Sequence, residues 1–254
     1  LALKQDIERR GSLDQSDRVM SLMRQIFQFA IDREYRSGEN PARASEFSKS
    51  AHKTKHYPYL QFDEMPGFFA ALEANEVNGD RVTVLAVKAL LLTGMRVGGL
   101  MPMQWPEVDA DTRVITIPKE RMKNAGYIEN DHLIPIADPL LAVLDELNAI
   151  NGRTDWVFFS ARGKATPHIN LEAPNKHIGN LGYKGKLVAH GVRAMVLTYG
   201  QEKLGFEFDV IDRQLGHKPQ GKVRQAYDRT EWIDRRVQFM TAWADFLMEQ
   251  DLMI

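Results

Sequence analysis

Cysteine is absent from the 254-residue chain, and that absence removes several kinds of chemistry at once. Disulfide bridges, thiolate metal sites and cysteine nucleophiles are all excluded. No stretch approaches the roughly 18 consecutive apolar residues of a membrane-spanning helix, so we expect no membrane partner. A strong net charge is also missing, because the chain carries only −1. A protein that binds nucleic acid through its overall charge alone is therefore disfavoured.

The beginning of the chain lacks an initiator methionine and does not have the pattern of a signal peptide. We interpret the chain as a piece of a longer protein. A chain without cysteine suits a reducing compartment, and we predict a cytoplasmic location. Hydrophobic residues make up 44% of the composition, which is enough for one sizeable core.

Apolar residues recur at helical spacing through most of the chain. This spacing predicts helices over residues 12–37, 63–76, 82–92, 138–150, 190–204, 209–216, 220–228 and 231–249. Two segments instead alternate with β-branched residues, at 113–118 and 132–136, and a polar hairpin separates them. The sequence therefore predicts a mainly α fold with a small antiparallel β-sheet, in the α+β class.

Residues 43–60 differ from their surroundings, because basic residues lie among Ser, Ala and Thr without periodicity. We interpret this stretch as a linker, either plainly solvated or lying on DNA phosphates. It would separate a helical unit at 1–42 from a larger domain at 61–254.

The chemistry of the chain is concentrated between His190 and Tyr227. Arg193 follows His190 at the third position, so both lie on one face of a helix. A second imidazole, His217, follows, and ten residues later comes the phenol of Tyr227. A phenol is a poor nucleophile at its free pKa of about 10, and cationic groups around a phosphate can assist it without a metal. This pattern indicates phosphoryl transfer to a tyrosine on DNA. The two histidines could instead bind a metal, but no Asp/Glu–His cluster beside them has ligand spacing.

Local charge supports this interpretation. Residues 180–229 contain nine Lys and Arg against five Asp and Glu, although the whole chain is almost neutral. Arg96 directly follows the most hydrophobic predicted helix, through Thr93 and Gly94. Its guanidinium is either held rigidly toward a phosphate or paired at the helix end. Lys123 lies in the predicted hairpin, where most lysines are simply solvated.

These separated signals occur in a fixed order, and together they resemble the catalytic domain of tyrosine recombinases, the phage integrase family. The resemblance covers about residues 61–250. Residues 40–42 are similar to the end of the family's core-binding domain, so 1–42 would be the last part of that domain. Met122-Lys123 and the ending at 243–247 are most similar to integrases of satellite phages and genomic islands.

The resemblance assigns six catalytic positions: Arg96, Lys123, His190, Arg193, His217 and Tyr227. Arg96 and Arg193 would bind phosphate oxygens, Tyr227 would be the nucleophile, and Lys123 would protonate the leaving oxygen. Lys119 is a weaker rival for that last role. One departure concerns Gly99, which stands where the family usually has a supporting glutamate and puts the orientation of Arg96 in question.

The resemblance implies cleavage and rejoining of DNA through a covalent 3′-phosphotyrosine, without metal, ATP or any other cofactor. Such a bacterial enzyme would integrate or excise a mobile element such as a prophage. Its partners would be double-stranded attachment sites, other integrase subunits in a tetramer, and an excision factor or DNA-bending protein. Two alternatives stay open: a relaxing enzyme resembling type IB topoisomerases, and a DNA-binding protein that has lost catalysis.

The last predicted helix carries an apolar stripe that includes Trp243 and Phe246. Such a stripe could cover the helix's own domain or fill a groove on a neighbouring subunit. The sequence alone does not separate these two alternatives.

Overall fold

A computed structural model describes residues 2–43, 56–74, 80–122, 130–161, 166–217 and 232–254. The chain divides into two compact units, Leu1–His56 and Tyr57–Ile254. Lys123 and Tyr227 lie outside the described residues, as does the predicted helix over 220–228. No helix in the described ranges is long and apolar enough to cross a membrane.

The secondary structure is mostly helical in both units. The α-helices are α1 (Ala2–Arg9), α2 (Leu13–Asp32), α3 (Met65–Ala74), α4 (Arg81–Thr93), α5 (Val97–Leu100), α6 (Asp138–Asn151), α7 (Ala173–Ile178), α8 (Gly191–Glu202), α9 (Phe208–Gln214) and α10 (Ile233–Glu249). The strands are β1 (Val108–Asp109), β2 (Val114–Ile117) and β3 (His132–Pro135).

Helix α2 forms most of the first unit and ends five residues earlier than its sequence pattern predicts. Glu34 adopts a positive φ of 59°, which a right-handed helix does not accommodate. The following turn folds back on the helix through Asn40, whose side-chain amide donates to the Arg24 carbonyl at 2.9 Å. The Asn40 side-chain oxygen accepts from the backbone N–H of Ala42, also at 2.9 Å.

Helix α4 is the centre of the second unit. Every residue from Val82 to Thr93 is buried, as expected for a helix that is apolar nearly all round. Gly94 ends it in the left-handed conformation, with φ 64°, and its N–H bonds to the carbonyl of Leu90. The chain therefore leaves this buried helix three residues before Arg96.

The sheet has the order β1-β2-β3 and is antiparallel throughout. Ile115 pairs with Ile134, and Ile117 pairs with His132. The three isoleucines are buried, while the alternate side chains of β2 are partly exposed. The prediction of a mainly α fold with a small antiparallel sheet is confirmed; the short strand β1 was not predicted.

Helix α10 packs on its own domain, which decides between the two alternatives for its apolar stripe. Trp243, Phe246 and Leu247 are buried, and the indole N–H of Trp243 donates to the Leu91 carbonyl at 2.8 Å. The stripe is thus occupied by α4, α9 and β3 of the same chain. Only the opposite face, with Val237, stays exposed.

Residues 161–186 give weak sequence signals, from which we would expect His168 and His177 at the surface, and that expectation is wrong. His168 is buried, with its Nδ1 2.8 Å from the Ile169 carbonyl and its ring beside Trp156. His177 is buried on α7, an element that the weak sequence signals of this region did not indicate.

Candidate active site

Arg193 joins three parts of the site through its guanidinium. One terminal nitrogen, Nη1, donates to the carbonyl of Gly94 at 2.8 Å. The other, Nη2, donates to the carbonyl of Leu215 at 2.7 Å and lies 2.7 Å from His217 Nε2. The residue is only 4% exposed. A buried cation therefore connects the turn after α4, the first turn of α8 and the turn after α9.

The contacts with described residues leave two donors of the guanidinium for a ligand. A guanidinium has five N–H groups, and the three contacts just described use three of them. Burial lowers the pKa of Arg193 to about 9, with a further contribution from the nearby charge of Arg96 and an opposing one from Asp212. The side chain is therefore still a cation at neutral pH. A buried cation with spare donors is suited to bind an anion, which would also relieve the cost of its burial.

Arg96 lies at the N-cap of α5, beside a pocket of about 210 Å³. The pocket is lined by Met95, Arg96, Gly98, Gly99, Arg121 and Met122. Among the residues that the structure describes, none receives a hydrogen bond from the Arg96 side chain. Burial lowers the pKa of Arg96, and the charge of Asp212 opposes that change. Arg96 is thus a half-buried cation on the wall of an open pocket.

Gly99, another residue of the pocket wall, has room for a Cβ atom. A Cβ at this position would lie 3.5 Å from the methyl group of Met95, an ordinary contact. On another wall of the same pocket, Arg121 is bound by the carboxylate of Glu107 and by the Pro102 carbonyl. Arg121 is therefore already neutralised, and Arg96 is the cation that the pocket offers.

His190 is the N-cap residue of α8, one turn before Arg193. The ring of Tyr57 lies against it, with the ring centroids 4.4 Å apart. This approach requires glycine at position 191, because a Cβ there would lie 2.0 Å from the Pro58 carbonyl oxygen. Sequence analysis did not identify Tyr57; the only available signal was an aromatic residue at the end of a predicted linker.

Met122, the last described residue before Lys123, lies beside the candidate site. Met122 is buried, lines the pocket with Arg96, and places its methyl group 2.6 Å from where a Cβ of Gly216 would lie. Gly216 has a φ of 66° and directly precedes His217. Lys119, the rival, begins a short 3₁₀ turn before Met122. The residue next to Lys123 therefore lies against the site.

A second layer of buried polar groups lies beneath the site, and no local sequence pattern indicates it. His132 Nε2 lies 3.0 Å from the Gln214 carbonyl, so that nitrogen carries the hydrogen. The Gln214 side chain donates to the Thr93 carbonyl at 3.3 Å and accepts from Arg236 Nε at 3.0 Å. Arg236 also donates to the Leu133 carbonyl. This layer ties α10 to β3, α9 and the end of α4.

His132 makes the stability of this layer depend on pH. Burial lowers its pKa from 6.5 to about 3, helped by the charges of Arg236, Arg193 and Arg96. The unfolded chain thus binds a proton between these pH values and the folded chain does not. Stability is fully present above about pH 6.5 and is lost as the pH falls toward 3. At pH 4 we expect a loss of roughly 3 kcal/mol in the free energy of unfolding from this residue.

The test is to follow urea unfolding between pH 7 and pH 4 for the natural chain and for His132→Gln. Glutamine keeps an N–H donor for the Gln214 carbonyl but does not titrate. We expect the variant to lose clearly less stability over this range. Equal pH dependence in both proteins would show that His132 is not the group responsible.

Comparison with known proteins adds the evidence that decides the class. The model of the phage integrase family matches residues 58–231, which covers more than half of the chain. The chain belongs to the phage integrase family. The resemblance inferred from the ordered motifs is thereby confirmed.

Relatives within the family are similar over almost the whole chain. The integrase of Shigella phage Sf6 is 30% identical over 243 residues, 96% of this chain and 61% of that protein. The integrase of Enterobacteria phage P4 is 30% identical over 258 residues, 97% of this chain and 58% of that protein. The chain thus spans about three fifths of the length of these integrases.

Solved structures show the same fold. A lambda integrase tetramer bound to a Holliday junction matches 89% of this chain and 63% of its own, with a TM-score of 0.64 and 17% identity. At this identity the similarity establishes the fold of the integrase and does not assign individual residues.

Proposed function

We propose that this integrase chain is the catalytic part of a site-specific DNA recombinase that integrates or excises a mobile element such as a prophage. The observation that carries the proposal is the contact of Arg193 with His217, with the charge of Arg96 close to Arg193 and Arg96 itself lining an open pocket, in a chain of the integrase family. Two guanidiniums and an imidazole are suited to a phosphodiester, whose charge increases in the transition state of phosphoryl transfer.

The role of each residue follows from its chemistry and from its place in the structure. Arg96 and Arg193 bind the two non-bridging oxygens, Arg193 with the donors that its protein contacts leave over. His217 donates to a phosphate oxygen. Tyr227 attacks phosphorus and forms a 3′-phosphotyrosine, which releases a 5′-hydroxyl. His190, exposed at the start of α8, takes the tyrosine proton and returns it during rejoining.

The wider assignments rest on the family. Residues 1–42 form the end of a core-binding domain, 43–60 the linker and 61–254 the catalytic domain. The substrate is double-stranded DNA at attachment sites in the bacterial cytoplasm. Other integrase subunits complete a tetramer, and an excision factor or DNA-bending protein is a further partner. The tetramer of lambda integrase on a Holliday junction supports this form of assembly.

The proposed function is tested with suicide duplexes, which carry a nick so that the cleaved strand diffuses away and the covalent adduct accumulates. The duplexes are tiled across the DNA that flanks the gene in its source genome, since an integrase gene often lies beside its own site. We expect an adduct on one duplex, resistant to denaturation and mapped by mass spectrometry to Tyr227. Exchange of strands between two such duplexes separates a recombinase from a relaxing enzyme. Binding without any adduct would support a DNA-binding protein instead.

Lys123 is expected to be the general acid, because Met122 beside it lies against Gly216 and lines the Arg96 pocket. A duplex with a 5′-phosphorothiolate at the cleavage position has a leaving group that needs no proton. This substrate should restore cleavage by Lys123→Ala from a loss of roughly 10²-fold or more to near the natural rate. Arg193→Ala should not be rescued, because the phosphate oxygens still need their cation.

Lys119→Ala is the matched control, since it removes a lysine four residues earlier in the same region. We expect it to cleave the normal duplex at close to the natural rate. Rescue of Lys119→Ala instead of Lys123→Ala would move the general-acid role to Lys119.

A further inference from the structure

Asp212 holds His217 by both its backbone and its side chain. The backbone N–H of His217 donates to the Asp212 carbonyl at 3.1 Å. The Asp212 carboxylate lies 2.6 Å from His217 Nδ1 and its side chain is only 15% exposed. We propose that Asp212 is a positioning residue of the active site, which fixes the ring and the tautomer of His217 and balances the charge of the two arginines. This proposal deepens the proposed function and rests on it.

The tautomer of His217 follows from its two neighbours. An arginine has donors and no acceptor, so the 2.7 Å contact with Arg193 Nη2 requires a lone pair on His217 Nε2. In the neutral ring the hydrogen must then be on Nδ1, where it donates to Asp212. The three side chains form one chain of hydrogen bonds in the order Arg193, His217, Asp212. Without DNA, both nitrogens of His217 are therefore occupied.

A bound phosphate changes the hydrogen bonds that His217 has to make. The phosphate oxygens need donors, but the neutral ring presents only a lone pair at Nε2. Only a ring with hydrogen on both nitrogens can donate from Nε2 to a phosphate oxygen, and its Nδ1–H still donates to Asp212. Asp212 therefore holds the ring in the same orientation in either form.

The charged side chains that the preceding paragraphs place near His217, all among the described residues, are consistent with this arrangement. Asp212 comes from α9, Arg193 from α8 and Arg96 from the start of α5, while His132 on β3 is held neutral by burial. The charge of Asp212 acts on both arginines and favours their charged forms. Two guanidiniums that repel each other are thus held near one carboxylate in the absence of DNA.

The first test reads the tautomer of His217 directly, on the 254-residue chain without DNA. Long-range ¹H–¹⁵N correlation spectra distinguish a protonated from a bare ring nitrogen, and His217→Asn assigns the signal. We expect hydrogen on Nδ1 in the natural chain and in Asp212→Glu. In Asp212→Asn we expect a shift toward the other tautomer or a mixture, with the folded spectrum otherwise retained. Hydrogen on Nε2 in the natural chain, or an unchanged His217 in Asp212→Asn, would overturn the proposal.

The second test uses the suicide duplex that gives an adduct with the natural chain, at saturating protein. Asp212→Asn should slow the chemical step roughly 10²-fold, less than the about 10⁴-fold lost when the carboxylate behind a catalytic base is removed, because His217 is not the base here. DNA affinity should change less than threefold. Asp212→Glu should recover most of the rate, and its cleavage should show the same pH profile as the natural chain.

Asp245→Asn is the matched control, since it removes a carboxylate from the exposed face of α10. It should leave both the spectrum of His217 and the cleavage rate unchanged. A cleavage rate in Asp212→Asn equal to that of this control would reject the positioning role. Failure of the natural chain to form any adduct would reject the proposed function, and the tautomer measurement would still decide the inference on its own.

Discussion

Tyr227→Phe is expected to abolish covalent attachment to DNA while binding stays within about twofold of the natural chain. The substitution removes one hydroxyl, and that oxygen is the atom proposed to bond to phosphorus. The chain has no cysteine that could act as a nucleophile in its place. Denaturing gels that follow the suicide duplex measure the adduct, and fluorescence anisotropy of an intact duplex measures binding.

Tyr35→Phe is the control for this experiment. Tyr35 is 79% exposed on the first unit, and the substitution removes the same hydroxyl from a position with no proposed role in chemistry. It should form the adduct at the natural rate. An adduct that survives in Tyr227→Phe would show that another residue is the nucleophile, and peptide mapping would identify it.

Regular local patterns were enough to predict the elements that position the site. Helix α4 is apolar nearly all round, and strand β2 alternates between buried and partly exposed residues, so each follows from neighbouring residues alone. The predictions are wrong where a contact with a distant segment of the chain determines whether a residue is buried. His177 is buried because α7 packs on α4, and no local pattern signals that contact.

The candidate site shows the same difference between features that local patterns predict and features that distant contacts determine. The order of the motifs named Arg96, His190, Arg193 and His217, and the structure describes all four. Their connections were not predictable, because Arg193 bonds to a carbonyl 99 residues away and its charge is buried. Asp212 was missed for a different reason. An aspartate five residues before a histidine does not by itself predict a contact between the two side chains. The turn after α9 brings them together.

The two arginines are expected to respond differently to the same substitution, because only one of them also holds the fold. Arg193→Lys keeps the charge but loses the planar fork that reaches Gly94 and Leu215. Two buried carbonyls then lose their donors, and we expect the free energy of unfolding to fall by about 2–4 kcal/mol. Arg96→Lys removes no hydrogen bond between described residues, so its stability should change by less than about 0.5 kcal/mol.

Cleavage should fall by roughly 10²–10³-fold in both lysine variants, because each loses a fixed donor to the phosphate oxygens. Urea unfolding without DNA measures the first effect, and single-turnover adduct formation at a temperature where both variants are folded measures the second. Inorganic phosphate should stabilise the natural chain more than either variant, since the anion relieves the burial of Arg193 and binds Arg96. Equal losses of stability in the two variants would mean that the contacts of Arg193 do not support the fold. Natural cleavage by Arg96→Lys would remove Arg96 from the phosphate site.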